Sequence, residues 1–209
     1  MSRLILQMQM SVDGCMSADT DIDWQVWDWS DPWTWDNGLK RRFNAVFDTV
    51  GCILLSRKMA EQGYLDHWER VARDHANEPD YAFARKVVQS RKVVLTDKLP
   101  SSRWERTVLA VRGMAEEVNA LKRRIEGDII VFGGVGFASA LVVAGLVDEF
   151  QMFVNPAAVG AGRSIFAQLP DGLQLQLLDS AAYDCGIVVN RYAAVSTPCD
   201  GSSHFAQRM

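Results

Sequence analysis

The segment DIIVFGGVGFASALVVAGLVDE, residues 128–149, limits the possible folds of this chain more than any other stretch. Its apolar run Asp128–Phe132 predicts a buried strand, and Phe137–Ala144 predicts a helix directly after a group of glycines. A further strand is predicted over Glu149–Val154. Strands that alternate with helices in this way are typical of an α/β fold with a mostly parallel sheet.

The rest of the chain repeats the alternation. Further strands are predicted over Leu4–Val12, Val50–Leu55, Lys92–Thr96 and Thr107–Val111, and an antiparallel pair over Leu173–Ser180 and Ile187–Val195. Helices are predicted over 37–48, 56–61, Tyr81–Gln89 and Ala115–Ile125, whereas 66–80 fits either a loop or a helix. We therefore expect one α/β domain over residues 1–196, with antiparallel C-terminal edge strands, flanking helices and a polar tail over 197–209.

Charge and composition argue against several classes of protein. A net charge of −4 argues against a nucleic-acid binder, which would show a basic face. No run of 18 apolar residues predicts a membrane helix, and the N-terminus lacks the pattern of a signal peptide. The 4 cysteines have no CxxC spacing and the 3 histidines have no metal-ligand spacing. The sequence thus predicts a cytoplasmic protein with reduced thiols and no metal site.

The glycines of Gly133-Gly134-Val135-Gly136 lie between a predicted strand and a predicted helix. Glycine lets the backbone approach a ligand closely, and a helix N-terminus offers unpaired N–H groups, so the turn suits a phosphate or pyrophosphate. It is neither the G-x-G-x-x-G dinucleotide fingerprint nor a P-loop, because no acidic residue follows at the expected distance and no Gly-Lys-Ser/Thr is present. A turn without a ligand remains the alternative.

A second candidate site follows the strand Val50–Leu55. The sequence CILLSRKM delivers Arg57 and Lys58 just beyond that strand. Ligands of open α/β sheets bind at the carboxyl ends of the strands, and two adjacent cations there suit an extra phosphate such as the 2′-phosphate of NADPH. The alternative is a solvated pair of basic side chains.

Taken together, these segments resemble a known family over about residues 3–195. The residues that carry the resemblance are Ser11-Val12-Asp13-Gly14, Leu54-Leu55-Ser56-Arg57, Gly133–Phe137, Gly145–Glu149, and Asn155-Pro156 with Gly160-Ala161-Gly162 and Phe166. The chain resembles dihydrofolate reductase, and more closely the reductase domain of the riboflavin-biosynthesis deaminase-reductase and its free-standing bacterial relatives. Two positions depart from the pattern, since the family often has Gly where Ser56 stands and Thr where Met59 stands.

The resemblance implies a dihydrofolate-reductase-like fold that binds NADPH, transfers hydride to a planar pteridine- or pyrimidine-like substrate and forms a homodimer. By position, Arg57 would hold the 2′-phosphate, with Ser56 and Lys58 beside it, and Leu95 and Thr96 would border the adenosine. The other implied cofactor contacts are the backbone of Gly133, Gly134, Val135, Gly136 and Phe137, then Ser164, Met8 and Gln9 around the nicotinamide. Asp13 and Glu149 would reach toward the substrate.

The stretch WQVWDWSDPWTW, Trp24–Trp35, holds five of the 7 tryptophans. In the fold implied by the resemblance it would cover the active site, where Trp24 and Trp27 would stack a flat substrate and exclude water. The alternative is that these indoles pack against the sheet or a dimer partner. Asp36, at the start of the first predicted helix, is the candidate catalytic acid, and its alternative is a plain N-cap.

The charge of the first segment bears on the substrate. Residues 4–39 contain seven aspartates and no Lys or Arg, so a pocket lined by this segment favours a neutral or cationic flat substrate over a phosphorylated one. The alternative is that Arg3, Lys40, Arg41 or Arg163 supplies a positive charge from outside the segment. A second function class stays open: a sensor or sequestering module that binds NADPH without turnover. Ser56 and Met59 are the residues that favour this alternative.

Overall fold

The computed structural model describes residues 1–19 and 34–195. An eight-stranded sheet has the strand order β5-β4-β3-β6-β1-β7-β10-β9, and β2 pairs with β8 as a separate two-stranded ribbon. The strands are β1 Leu4–Ser11, β2 Ser17–Ala18, β3 Val50–Ser56, β4 Arg91–Leu95, β5 Thr107–Ala110, β6 Asp128–Phe132, β7 Glu149–Asn155, β8 Gly162–Arg163, β9 Leu175–Ala182 and β10 Val188–Ala194.

The helices connect these strands and cover both faces of the sheet. They are α1 Asn37–Val46, α2 Arg57–Glu61, α3 Tyr64–Asp74, α4 Ala82–Gln89, α5 Met114–Arg124 and α6 Val135–Val143, with a 3-10 turn at Pro79–Tyr81. The six strands β5, β4, β3, β6, β1 and β7 pair in parallel, while β10 is antiparallel to β7 and to β9. The predicted fold class is therefore confirmed, including the antiparallel edge.

Two apolar clusters lie on opposite faces of the sheet because side chains alternate along each strand. Leu4 and Leu6 of β1 contact the cluster of α5 and α6, whereas Ile53 and Leu55 of β3 contact the cluster of α3 and α4. All four residues have 0 % exposure. Each such buried aliphatic side chain stabilises the fold by about 2 kcal/mol.

Three details differ from the sequence-based expectation. Residues 66–80, which fitted either a loop or a helix, contain most of α3. The buried residues Leu65 and Val71 of this helix are six positions apart and separated by charged residues, so the sequence showed no clear helical period. Helix α6 begins at Val135, two residues earlier than predicted: its first turn contains Gly136, whose low helix propensity gave no helical signal in the sequence. The β2–β8 ribbon was not predicted, since strands of two residues give no periodic signal.

The Trp-rich residues 20–33 and the polar tail after residue 195 lie outside the described part of the chain. In residues 1–19 and 34–195, none of the helices combines the length and the apolar character needed to cross a bilayer.

Candidate functional site

The exits of β3, β4 and β6 lie side by side at the carboxyl edge of the sheet. Leu55 of β3 is paired with Phe132 of β6, and Ser56 is paired with Leu95 of β4. A Cβ built on Gly133 would lie 3.2 Å from the Cβ of Ser56. The two sequence segments singled out as candidate phosphate sites therefore meet in space.

The glycines of the turn after β6 fall into two kinds. A Cβ on Gly133 would approach a ring carbon of Phe137 to 2.5 Å, so a larger residue there would displace the aromatic ring. Gly134 and Gly136, by contrast, have no heavy atom within 4 Å of an added Cβ. The backbone at these two positions faces open space, so a ligand phosphate could approach it without a steric clash.

The first turn of α6 supplies hydrogen-bond donors to that open space. Gly134 is the N-cap residue of α6, and no side chain caps the helix. The N–H groups of Val135 and Gly136 precede the first intrahelical hydrogen bonds, and the helix dipole adds a partial positive charge there. The residues present thus fit a pyrophosphate at this turn.

The exit of β3 combines a helix cap with two cations. The Oγ of Ser56 accepts a hydrogen bond of 3.2 Å from the N–H of Met59, and Met59 is buried in the core with 8 % exposure. Both departures from the family pattern therefore have structural roles. Arg57 is half-buried and forms an ion pair with Glu61 one turn later, while Lys58 is exposed.

The residues predicted to border the adenosine lie at the end of β4. Leu95 is half-buried beside Ser56. The N–H of Thr96 donates to the carbonyl of Ala110 at 2.9 Å, and its Oγ1 accepts from the N–H of Lys98 at 3.0 Å. Thr96 is thus held in the turn after β4, and its hydroxyl stabilises that turn.

The strand β1 runs between β6 and β7 and carries Met8 and Gln9 on opposite faces. Met8 is buried in the cluster of α5 and α6. Gln9 is half-buried on the other face, where its Oε1 accepts a hydrogen bond of 3.3 Å from Nδ2 of Asn155. The Oγ of Ser164 accepts from the N–H of Phe166 at 3.2 Å, and the next residue, Ile165, packs in the same cluster as Met8.

Asp13 joins the loop after β1 to the loop after β7. Its Oδ2 accepts hydrogen bonds from the N–H groups of Val159, at 3.1 Å, and Gly160, at 2.7 Å. The hydroxyl of Ser11 donates to Oδ1. The Ser11 hydrogen bond first, and then the amide of Gly160, lower the pKa of Asp13 below its ordinary value. The carboxylate that the resemblance predicts to contact the substrate thus already accepts hydrogen bonds from the protein.

We predict that Asp13→Ala frees the loop after β7, because no other side chain would accept the hydrogen bonds of Val159 and Gly160. Hydrogen exchange at these two amides should accelerate about tenfold, since both lose a hydrogen bond to a charged acceptor. Asp13→Asn retains one carbonyl oxygen and should show a smaller change. Equal exchange in wild type and Asp13→Ala would contradict the bracing role.

Asp36 is the N-cap residue of α1. Its Oδ1 accepts from the N–H of Leu39 at 2.9 Å, and its Oδ2 accepts from the N–H of Cys185 in the β9–β10 turn at 3.0 Å. The amides of Leu39 and Cys185 lower the pKa of Asp36 to about 2, so the group is a carboxylate at neutral pH. A proton donor needs a raised pKa instead. The geometry favours the cap, and a catalytic role for Asp36 stays a hypothesis.

Of the five clustered tryptophans, Trp35 lies within the described residues. Its ring stacks on Phe153 of β7 with centroids 5.4 Å apart and meets Phe43 of α1 edge-on at 5.3 Å. Trp35 therefore packs against the sheet, as the alternative reading of the segment expects. Trp24 and Trp27, the predicted substrate contacts, lie outside the described part of the chain.

Glu149 is not brought to this edge, and its predicted place near the substrate needs correction. It starts β7 opposite Ile5, at the amino end of the parallel strands and about 20 Å along the strand from Asn155. The carboxylate has 1 % exposure and binds Arg3 at 2.8 Å and Arg191 at 2.8 Å. Its contacts are those of a buried ion-pair network.

Two residues of this edge were given no role at the site by the sequence analysis, although Asn155 is among those that carry the family resemblance. Glu61, the ion-pair partner of Arg57, was detectable from its position four residues later on a predicted helix. Asn155 donates from Nδ2 to Gln9, to the carbonyl of Met10 at 3.3 Å and to the carbonyl of Phe153 at 3.2 Å. The contacts with Gln9 and Met10 leave no local pattern in the sequence, because these partners lie 146 and 145 residues away.

The fold is that of the dihydrofolate-reductase-like proteins. The dihydrofolate reductase of Enterococcus faecalis, solved in complex with NADP(H), superposes with a TM-score of 0.52 at 15% identity and covers 92% of this chain and 96% of its own. RibD of Acinetobacter baumannii gives a TM-score of 0.62 at 17% identity over 93% of this chain and 58% of its own.

The sequence places the chain in a family within that fold. The family model of the RibD C-terminal domain matches residues 2–189, so the chain belongs to the RibD C-terminal domain family. The uncharacterized protein YyaP of Bacillus subtilis is 24% identical over 187 residues, which is 89% of this chain and 92% of YyaP. Family and fold together support a reductase-type function.

Proposed function

We propose that the protein is an NADPH-dependent reductase that acts on a planar pteridine- or pyrimidine-like substrate. The observation that carries the proposal is the contact between the exit of β3 and the glycine turn before α6. Two cations and a set of unpaired backbone N–H groups thereby lie at one edge of the sheet. A phosphorylated dinucleotide carries a 2′-phosphate and a pyrophosphate, the two kinds of anionic group that such an edge would bind.

In this proposal each segment has a defined task. The N–H groups of Val135 and Gly136 bind the pyrophosphate, and Gly134 leaves room for it. Arg57 binds the 2′-phosphate through its planar guanidinium, and Lys58 adds a second positive charge. NADPH, when bound, supplies the hydride. The end of β1 forms the surface beneath the nicotinamide through its backbone and Gln9, while Met8 supports the strand from the opposite face.

The substrate pocket is proposed on the face of the sheet that carries Gln9, Phe153 and Trp35. The described acids near that face, Asp13 and Asp36, are engaged by backbone amides. Residues 4–39 carry no cation. These features support a neutral or cationic heterocycle over a phosphorylated substrate. We further propose a cytoplasmic homodimer, by analogy with the family.

The proposal predicts that Arg57→Ala weakens NADPH far more than NADH. Loss of a charge-assisted contact to the 2′-phosphate should raise the Kd for NADPH about 10- to 100-fold, because such hydrogen bonds contribute about 1.5–3 kcal/mol. The Kd for NADH, which has a hydroxyl at that position, should change less than about threefold. Tryptophan fluorescence or isothermal titration calorimetry measures both constants.

A control variant is Arg73→Ala, which removes an equal charge from the exposed C-terminal end of α3. It should leave the Kd values for both cofactors unchanged. Equal weakening of NADPH and NADH by Arg57→Ala would remove Arg57 from its role at the 2′-phosphate. Absence of binding of either cofactor to the wild type would contradict the proposed function as a whole.

A binding module without turnover is the competing function. Its support came from Ser56 and Met59, and both residues have structural roles here, as helix cap and core residue. Oxidation of NADPH is to be measured against a panel of pterins, folates and aminouracils. Saturable binding of NADPH with no oxidation across the panel would favour the module.

A further inference from the structure

We propose that Glu61 is a specificity-determining residue: its carboxylate lowers the preference of the site for NADPH over NADH. The inference rests on the proposed function, since it concerns the same Arg57. Its basis is the ion pair between Nη1 of Arg57 and Oε2 of Glu61, one helical turn apart on α2. Of the two candidate cations at this edge, Arg57 is half-buried and Lys58 is exposed. Arg57 is thus already paired with a carboxylate before any ligand binds.

The ion pair is held in place by the rest of α2. The buried residues of this helix are Met59 and Ala60, with 8 % and 0 % exposure, and Ser56 caps its start. The helix is thereby fixed against the sheet. The side chains of Arg57 and Glu61 are 30% and 39% exposed, so both reach the solvent from the same side.

A carboxylate and a phosphate compete for the same donors of Arg57. The guanidinium presents its N–H groups in one planar fork, which suits either anion in a bidentate contact. When Arg57 turns to a 2′-phosphate, the ion pair with Glu61 is weakened or lost. Glu61 also remains close enough to repel the phosphate, because the two anions share one cation.

A 2′-hydroxyl has the opposite relation to Glu61. A carboxylate accepts a hydrogen bond from the ribose hydroxyl in nucleotide sites that prefer the unphosphorylated cofactor. With NADH, Arg57 keeps its partner and Glu61 gains a donor. Arg57 therefore raises the preference for NADPH, and Glu61 lowers it.

The test is Glu61→Gln, which keeps the size of the side chain and removes its charge. Isothermal titration calorimetry gives the Kd for NADPH and for NADH without any turnover. We expect the Kd for NADPH to fall by up to about fivefold, the upper end of the range for an exposed ion pair. The Kd for NADH should stay constant or rise, and the gain should shrink at high salt.

Two further variants complete the design. The readout is the Kd for NADH divided by the Kd for NADPH. Asp48 pairs with Lys86 and lies just before β3, at the amino edge of the sheet. Asp48→Asn removes this carboxylate and should leave the ratio unchanged. Glu61→Ala removes the carboxylate altogether and should raise the ratio in the same direction as Glu61→Gln. In an Arg57→Ala background, Glu61→Gln should gain less NADPH affinity, since no cation is released.

The outcomes separate this inference from the proposed function. If wild type binds NADPH and Arg57→Ala loses it, but Glu61→Gln and Glu61→Ala leave the ratio unchanged, the inference is wrong and the proposed function stands. If wild type binds neither cofactor, both are overturned. A ratio that rises in both Glu61 variants but not in Asp48→Asn supports the inference.

Discussion

A Gly134→Asp variant is expected to fold as stably as the wild type and to lose NADPH binding by more than about 100-fold. Gly134 has φ −69° and ψ 169°, an extended conformation that any residue adopts, and an added Cβ meets no atom within 4 Å. Asp is a preferred N-cap residue, so the change should stabilise α6 by a few tenths of a kcal/mol.

The same carboxylate that stabilises α6 should prevent NADPH from binding. The carboxylate would accept hydrogen bonds from the first-turn N–H groups of α6, where the pyrophosphate is proposed to bind. It would also place a negative charge against the ligand, and an unpaired like charge costs several kcal/mol in a partly desolvated site. Calorimetric titration with NADPH measures the loss, and thermal unfolding monitors the stability.

The chain offers a matched control for this variant. Gly113 is the uncapped N-cap residue of α5, with open space around an added Cβ. It follows β5, three strands and about 14 Å from β6. Gly113→Asp should therefore stabilise its helix to a similar extent and leave the Kd for NADPH within about threefold of the wild type. Unchanged NADPH binding by Gly134→Asp would contradict the proposed pyrophosphate site.

The second large effect is expected in stability, for Glu149→Gln. Glu149 is buried at the start of β7, where Arg3 and Arg191 contact its two oxygens and Nε2 of Gln151 donates at 2.9 Å. Loss of the charge leaves Arg191 without its carboxylate partner, whereas Arg3 keeps its ion pair with Asp128. Removal of one member of a buried ion pair costs about 3–5 kcal/mol, and the partial exposure of both arginines lowers our expectation to about 2–3 kcal/mol.

Denaturant unfolding followed by circular dichroism measures this loss, and the melting temperature should fall by about 4–12 °C. The control is Glu116→Gln, whose carboxylate is 67% exposed and pairs with Arg112 at 3.8 Å. It should change the stability by less than about 0.5 kcal/mol. A loss as small as this in Glu149→Gln would show that the network does not stabilise the fold. NADPH binding by folded Glu149→Gln should equal that of the wild type.

The same network should make the protein sensitive to acid. Burial raises the pKa of Glu149, but the contacts with Arg191, Gln151 and Arg3 outweigh burial, and the net pKa lies below the ordinary value. The pKa of Asp128 is lowered in the same way, against burial, by Arg3 and Thr49. The unfolded chain then takes up more protons, so this stabilisation is complete above the ordinary carboxyl pKa values and is lost as the pH falls through the lowered ones. Stability should decline below about pH 4 in the wild type and less steeply in Glu149→Gln.

Much of the fold followed from the sequence because strand periodicity and glycine turns are local signals. Asp128–Phe132 is predicted and observed with the same bounds. The meeting of Ser56 and Gly133 also followed, because parallel strands present their carboxyl ends at one edge.

The individual contacts did not follow, because they join residues far apart in the chain. Asp13 binds amides 146 and 147 residues away, and Asp36 binds an amide 149 residues away. Polar side chains at loop positions carry no signal for such partners. Glu149 was misplaced for another reason: it begins its strand, and the start of a parallel strand lies at the edge opposite to the ligand.

The most direct test of the central claim is a nitrogen-15 NMR titration of the wild type with NADPH. The claim is that the first turn of α6 and the exit of β3 bind one dinucleotide together. We predict saturable shifts of the backbone amides of Val135, Gly136 and Arg57 that share one Kd. Shifts confined to the amino edge around Arg3 and Glu149, or no shifts at millimolar NADPH, would contradict the account.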